Sequence, residues 1–143
     1  MKRDFQELIK EHRKYYKSIV SVFCPILEDT IYFTSEGFNH LIYKTHTRPR
    51  KRNEIFMKLM CLKNATEIIS KCSVISKTRK IERNVKGKEK EMICHELVYK
   101  VKKGKEIRVV VGKIGSGKLK FVSVMPHNKK SKTKTKKRPR RRS

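Results

Sequence analysis

The chain has 143 residues, with 39 Lys plus Arg against 13 Asp plus Glu and a formal net charge of +26 at pH 7. That length suits one domain with appendages, and no run approaches the roughly 18 apolar residues of a membrane span. The charge is not confined to one end. The last fifteen residues, KKSKTKTKKRPRRRS, hold ten cations, and residues 1–128 still keep 29 cations against 13 acids, or +16. Such a balance favours a polyanionic partner through counterion release. No stretch offers the wide apolar face with Trp or Phe anchors of a membrane-lying helix, so nucleic acid is the expected partner and no membrane is.

The N-terminus, MKRDFQELIKEHRKYYK, is charged throughout and does not read as a signal peptide. Phe5, Leu8, Ile9, His12, Tyr16, Ile19 and Val20 form a helical stripe that Pro25 ends. Residues 1–30 are therefore expected to be a helical segment. Ile31–Phe33 reads as a short strand, and Ser35 can cap a helix running to Lys44. Phe38, Leu41 and Ile42 give that helix a buried stripe. His40 and Lys44, four apart, share its other face. The basic arm with His46, Arg48, Arg50, Lys51 and Arg52 follows at once. A proton-transfer group beside fixed cations is a candidate site for handling a phosphodiester, although a charged helix face is more often simply solvated.

Asn53 can cap a second helix through Leu62, with Ile55, Phe56, Leu59 and Met60 inward, and Ala65–Cys72 continues it. The period then changes. Val74–Glu82 suits an edge strand, Asn84–Glu91 reads as a charged loop, and three β-rich runs follow at Met92–Lys102, Glu106–Ile114 and Gly117–Met125. Lys103-Gly104 and Gly115-Ser116 are compatible with two-residue hairpin turns. Helices first and a meander second define an α+β domain over 31–127, with the helices on one face of a roughly four-stranded antiparallel sheet. Residues 128–143 offer nothing apolar to bury and are expected to be a disordered basic tail.

Two-residue turns would fix the registers. Lys102 would face Lys105, placing Tyr99 opposite Arg108, and Ile114 would face Gly117, placing Arg108 opposite Ser123. The three would then form one row across adjacent strands, at the margin of the helix–sheet core. An arginine on an apolar face needs an anion or pays in desolvation. Alternation sends Lys118 and Lys120 to the face opposite Leu119 and Phe121, where they can contact RNA backbone or merely protect an edge.

Other signals lead away from alternative chemistries. The run from Gly112 to Lys118 matches the first part of a phosphate-binding loop but fails at Leu119, where a hydroxyl must reach the metal. It also enters a strand-like run rather than a helix. Cys24, Cys61, Cys72 and Cys94 lack C-x-x-C spacing and read as small buried residues in a reducing compartment. A cytoplasmic location follows as the expectation. The acids form no D-x-D or paired cluster for a two-metal nuclease, so no metal and no cofactor is expected.

The order of these pieces resembles the barnase–EndoU–colicin–RelE-like superfamily of small ribonucleases, with its phage- and small-genome-bacterium-associated members closest. The resemblance covers Ile31–Met125 and rests on IYFTSEGFNHLIYK, IRVVVGKIGSGK and KFVSV. It implies a helical part packed on a four-stranded antiparallel sheet, with RNA in the cleft between them. His40 matches the helix histidine, Arg108 a mid-sheet basic residue, Ser123 the last-strand Ser/Thr and Arg52 a basic residue after the first helix. EndoU-type members use two histidines, and His46 is the near candidate for the second, with Lys44 or Arg52 as substitutes acting by charge.

The implied reaction is metal-independent endoribonuclease cleavage, in which the ribose 2′-OH attacks its own phosphate to leave a 2′,3′-cyclic end. His40 would be the base, Arg108 would oppose the developing charge, and Ser123 would donate a hydrogen bond. A toxin or mobile-element effector with an antitoxin or immunity protein is the setting the family implies. The alternative is a non-catalytic RNA- or ribosome-binding basic protein. A third reading, from KKRPRRR, is a DNA-binding or nuclear protein.

Overall fold

The computed structural model describes residues 2–45, 48–101 and 105–127. Among these residues, four helices, α1 (Lys2–Ile19), α2 (Ser35–Ile42), α3 (Arg52–Leu62) and α4 (Ala65–Lys71), accompany six strands. These are β1 (Ser21–Cys24), β2 (Asp29–Tyr32), β3 (Ile75–Val85), β4 (Lys88–Lys100), β5 (Glu106–Ile114) and β6 (Leu119–Pro126). The strands lie side by side in the order β1-β2-β6-β5-β4-β3, antiparallel except where β2 runs parallel to β6. The class is α+β, as the sequence indicates. The expected antiparallel meander is β3–β6, and the sheet is larger and mixed because β2 and β1 extend it.

Strand β1 is hidden in the sequence because Ser21–Cys24 continues the apolar stripe of α1. Helix α1 ends at Val20 instead, whose φ of 61° turns the chain and whose carbonyl accepts a hydrogen bond from the Phe33 N–H at 2.9 Å. A left-handed conformation is a strained one for a β-branched residue. Pro25 then starts a turn closed by the Glu28 N–H on the Pro25 carbonyl, and β2 returns along β1. Residue 30 marks no break, since Tyr16 and Cys24 lie in the same buried core as the rest.

That core is built from Tyr16, Phe33, Phe38 and Phe121, then from Ile55, Leu59 and Leu62 of α3 and Ile68 and Ile69 of α4, against Leu97, Val109 and Val111 of the sheet. Each large apolar side chain fully buried here contributes roughly 1.5–3 kcal/mol. Phe33 stacks on Phe121 at 4.9 Å, and Tyr16 packs against both. The Tyr16 hydroxyl donates to the Thr34 carbonyl at 2.6 Å, and burial pushes its phenol well above the ordinary value, so it stays a donor. Helix α2 can sit this close only because residue 37 is glycine: an added Cβ would lie 2.5 Å from the Tyr16 hydroxyl and 2.7 Å from the Phe121 carbonyl.

Helix starts fall a residue or two from the expected caps. Thr34 occupies the N-cap of α2 and Lys51 that of α3, neither with a side-chain capping bond, so Ser35 and Asn53 lie inside their helices. Asn84–Glu91 is not a loop. Lys86 and Gly87, at φ 49° and 82°, make a two-residue turn, and β3 and β4 pair right up to it. The Gly112–Lys118 run is the β5–β6 hairpin, with Gly115 at φ 57°. All four cysteines are buried. No described helix is long and apolar enough to cross a membrane.

The registers differ from expectation, and the partners of Arg108 and Ser123 change with them. The Val101 N–H bonds to the Lys105 carbonyl, so three residues rather than two separate the closing pair; those three, with Lys103-Gly104 among them, lie outside the described residues. Every β4–β5 pair moves by one: Tyr99 faces Ile107, and Arg108 faces Val98. Between β5 and β6 the pairing is already one residue off beside the turn, with Gly112 opposite Lys120 rather than Leu119, and a bulge adds one more, with Val111 opposite Phe121 but Val110 opposite Ser123. Arg108 consequently faces Met125. The expected row of Tyr99, Arg108 and Ser123 does not exist.

Candidate nucleic-acid interface

Helix α2 carries the centre of the site. Glu36 and His40 are four apart, on one face of a helix held down by Phe38, Leu41 and Ile42 on the other. Both line a cleft of about 260 Å³ against β6, which Lys118 and Lys120 also line. Its floor includes Gly112, and its far wall includes Asn84 near the tip of the β3–β4 hairpin. Lys118 is held over the Tyr32 ring at 4.7 Å. A second cleft of about 560 Å³ shares Glu36, His40 and Asn84 and adds Arg13, Tyr43 and Lys44. One half-buried imidazole and one carboxylate thus stand between two lysines of the first cleft and one of the second, where a phosphate could be held.

The basic arm divides into parts with different work. The Arg50 Nε donates to the His40 carbonyl at 2.9 Å, while its Nη1 pairs with Glu54 at 3.0 Å. Arg50 therefore clamps the end of α2 to the start of α3. Arg52 lies over the Phe5 ring at 4.9 Å, and Arg48 and Lys51 are exposed. His46 lies outside the described residues, so the second histidine suggested by the resemblance has no described position. The basic tail lies outside them as well.

Arg108 and Ser123 belong to a different cluster from His40. Neither lines the two clefts that His40 lines. Arg108 pairs with the buried Glu96 at 3.5 Å and approaches the Met125 sulfur at 3.2 Å; Glu96 is also held by Arg79 at 2.8 Å. The anion that an arginine on the sheet needs is thus a side chain of this protein. Ser123 is buried and accepts from the Lys58 amine at 3.4 Å. Tyr99 is half-buried against the core, as an ordinary packing residue.

Three participants escape a linear reading. Glu36 carried a legible signal, the i, i+4 spacing to His40, but it reads as a first-turn acid. Lys58, only 7% exposed, stands within the apolar stripe of α3 between Ile55 and Leu59. Burial lowers its amine below the usual lysine value, Arg50 adds to that, and Glu54 opposes it. Asn84 reaches the cleft only through the fold of a long hairpin. Among the described residues, no three His, Cys, Asp or Glu side chains gather in a way that could hold a metal ion.

What the fold and site define together is an α+β protein with a cationic cleft between one helix and its sheet. Compared with known proteins, the chain matches no family model, and no curated protein or solved structure is similar enough to count as a match.

Proposed function

We propose that the chain is an endoribonuclease working through side chains alone, by attack of a ribose 2′-OH on the adjacent phosphate to leave a 2′,3′-cyclic end. One observation carries the reading: Glu36 and His40 line the same cleft as Lys118 and Lys120. The reaction needs one group to take the 2′-OH proton and another to protonate the departing 5′-oxygen. The Glu36 carboxylate and the His40 imidazole are the two proton-transfer groups that share the cleft, and we assign the first role to the carboxylate and the second to the imidazole. This gives Glu36 the role of base and turns His40 from base to acid. The charge developing on phosphorus is opposed by Lys118 and Lys120 rather than by Arg108. DNA, without a 2′-OH, would be bound and left intact.

A second reading, a non-catalytic RNA- or ribosome-binding protein, draws support from Arg108, whose two Nη atoms reach Glu96 and Met125 rather than the cleft. A toxin-like role with an inhibitory partner, as the ribonuclease resemblance implies, belongs to the first reading alone. Incubation with total RNA, with and without chelator, separates the two. Cleavage that survives EDTA, leaves cyclic phosphate ends and falls about 10²–10⁴-fold in His40→Ala is the expected result. Equal rates for wild type and His40→Ala would remove the catalytic assignment, and no cleavage by either would leave the binding protein.

A further inference from the structure

The two clefts around His40 continue into a third, of about 330 Å³, on the far side of Tyr43. The first two share Glu36, His40 and Asn84, while the second and third share Arg13 and Tyr43. Among the described residues lining the three clefts, five cations (Arg13, Lys44, Arg52, Lys118 and Lys120) face a single carboxylate, Glu36, while a sixth, Arg50, is paired with Glu54. A groove of that length and sign fits a polyanion, not a small neutral ligand.

Tyr43 stands at the junction and keeps 39% of its surface exposed, although it is a large aromatic side chain. Its backbone is fixed on both sides. The Tyr43 N–H bonds to the Asn39 carbonyl, Tyr43 bridges Pro49, and the neighbouring Lys44 N–H bonds to the Arg48 carbonyl. Two arginines flank it, each held over a ring: Arg13 over Phe38 at 4.7 Å and Arg52 over Phe5 at 4.9 Å. An exposed ring on a fixed backbone, between ring-supported guanidinium groups, is a stacking platform for an unpaired base, with cations placed for the phosphates on either side. A duplex keeps its bases stacked on one another and has none to offer such a ring.

We infer that the three clefts form one groove for single-stranded RNA, with Tyr43 stacking a base next to the phosphate held at His40. This rests on the ribonuclease reading for the identity of the strand, and it names the form of RNA that the site takes. Selection works through shape and stacking, so tolerance of sequence follows.

The test is binding, read by fluorescence anisotropy at one fixed salt concentration, with a labelled 2′-O-methyl oligonucleotide as single strand and as duplex. The strand cannot be cleaved by 2′-OH attack, so the result is independent of whether the enzyme is active. Wild type should bind the single strand at least about fivefold more tightly than the duplex. Tyr43→Ala should lose about fivefold or more on the single strand alone, and Tyr43→Phe should bind as wild type does. Because the chain has no tryptophan, Tyr43→Trp supplies a second readout: its emission should be quenched by the single strand. Equal affinity for both forms, wild-type affinity in Tyr43→Ala, or no quenching in Tyr43→Trp would overturn the inference. Cleavage of RNA alongside any of those results would overturn it while leaving the ribonuclease reading standing.

Discussion

Gly37→Ala tests whether the close seating of α2 on β6 is what holds the site together. The new methyl carbon would sit 2.5 Å from the Tyr16 hydroxyl, 2.7 Å from the Phe121 carbonyl oxygen and 3.0 Å from the Phe121 ring. Neither oxygen can step aside cheaply. One is backbone within β6, and the other is pinned by its hydrogen bond to the Thr34 carbonyl. Overpacking of this kind costs about 1–3 kcal/mol, and the upper end applies when the obstacle is backbone. Replacing glycine by alanine in a helix returns about 1 kcal/mol, which leaves a net loss of about 2 kcal/mol. For a chain of this size that corresponds to a fall in Tm of roughly 6–10 °C. Circular dichroism melts of the two proteins measure it directly. The same shift would carry Glu36 and His40 away from Lys118 and Lys120, so RNA cleavage should drop at temperatures where the variant is still folded. A Tm equal to or above that of wild type would refute the account of why residue 37 is glycine.

Glu36→Gln should slow cleavage as much as His40→Ala while RNA binding persists, because the remaining cations supply the affinity; single-turnover rates and binding isotherms on one RNA check both halves. Arg108→Ala should act on stability rather than chemistry. It removes one of two partners from the buried Glu96, a loss on the order of 1–2 kcal/mol given that Arg79 remains, and Glu96→Gln in the same chain should restore part of it. Cleavage at wild-type stability but a hundredfold slower would return Arg108 to the active site. Lys58→Met should raise Tm at pH 7, since a buried amine is exchanged for an apolar chain of similar length. The Lys58 amine is depressed below 10.5 in the folded protein, so the folded state binds that proton less tightly than the unfolded chain does. The cost is therefore full below the folded value and fades as pH rises toward 10.5, and the advantage of Lys58→Met should shrink over the same range. A constant difference across pH would show that the amine is not the cause.

Much of this protein was decided locally. Charge alone raises the expectation of a polyanionic partner, apolar spacing of 3.6 defines α1–α4, and alternation defines β5 and most of β4 and β6. The G-F-N-H-L helix, with His40 on its polar side, is readable because Phe38, Leu41 and Ile42 must point the other way. Tertiary structure decided what meets what. Register depends on the lengths of two turns and on one bulge, and a single residue in each moved Arg108 from an expected partnership with Tyr99 and Ser123 to an ion pair with Glu96. Two residues separate the closing pair Val85 and Lys88, whereas three separate Val101 and Lys105. Strand β1 looked helical until β2 paired with it. Residues that converge on the groove from α1, α2, the arm before α3, the β3–β4 hairpin and β6 share no sequence neighbourhood, and their meeting is a property of packing. Local patterns determine which way each side chain faces within its own element; only the fold, by setting those elements side by side, determines which of them can act together.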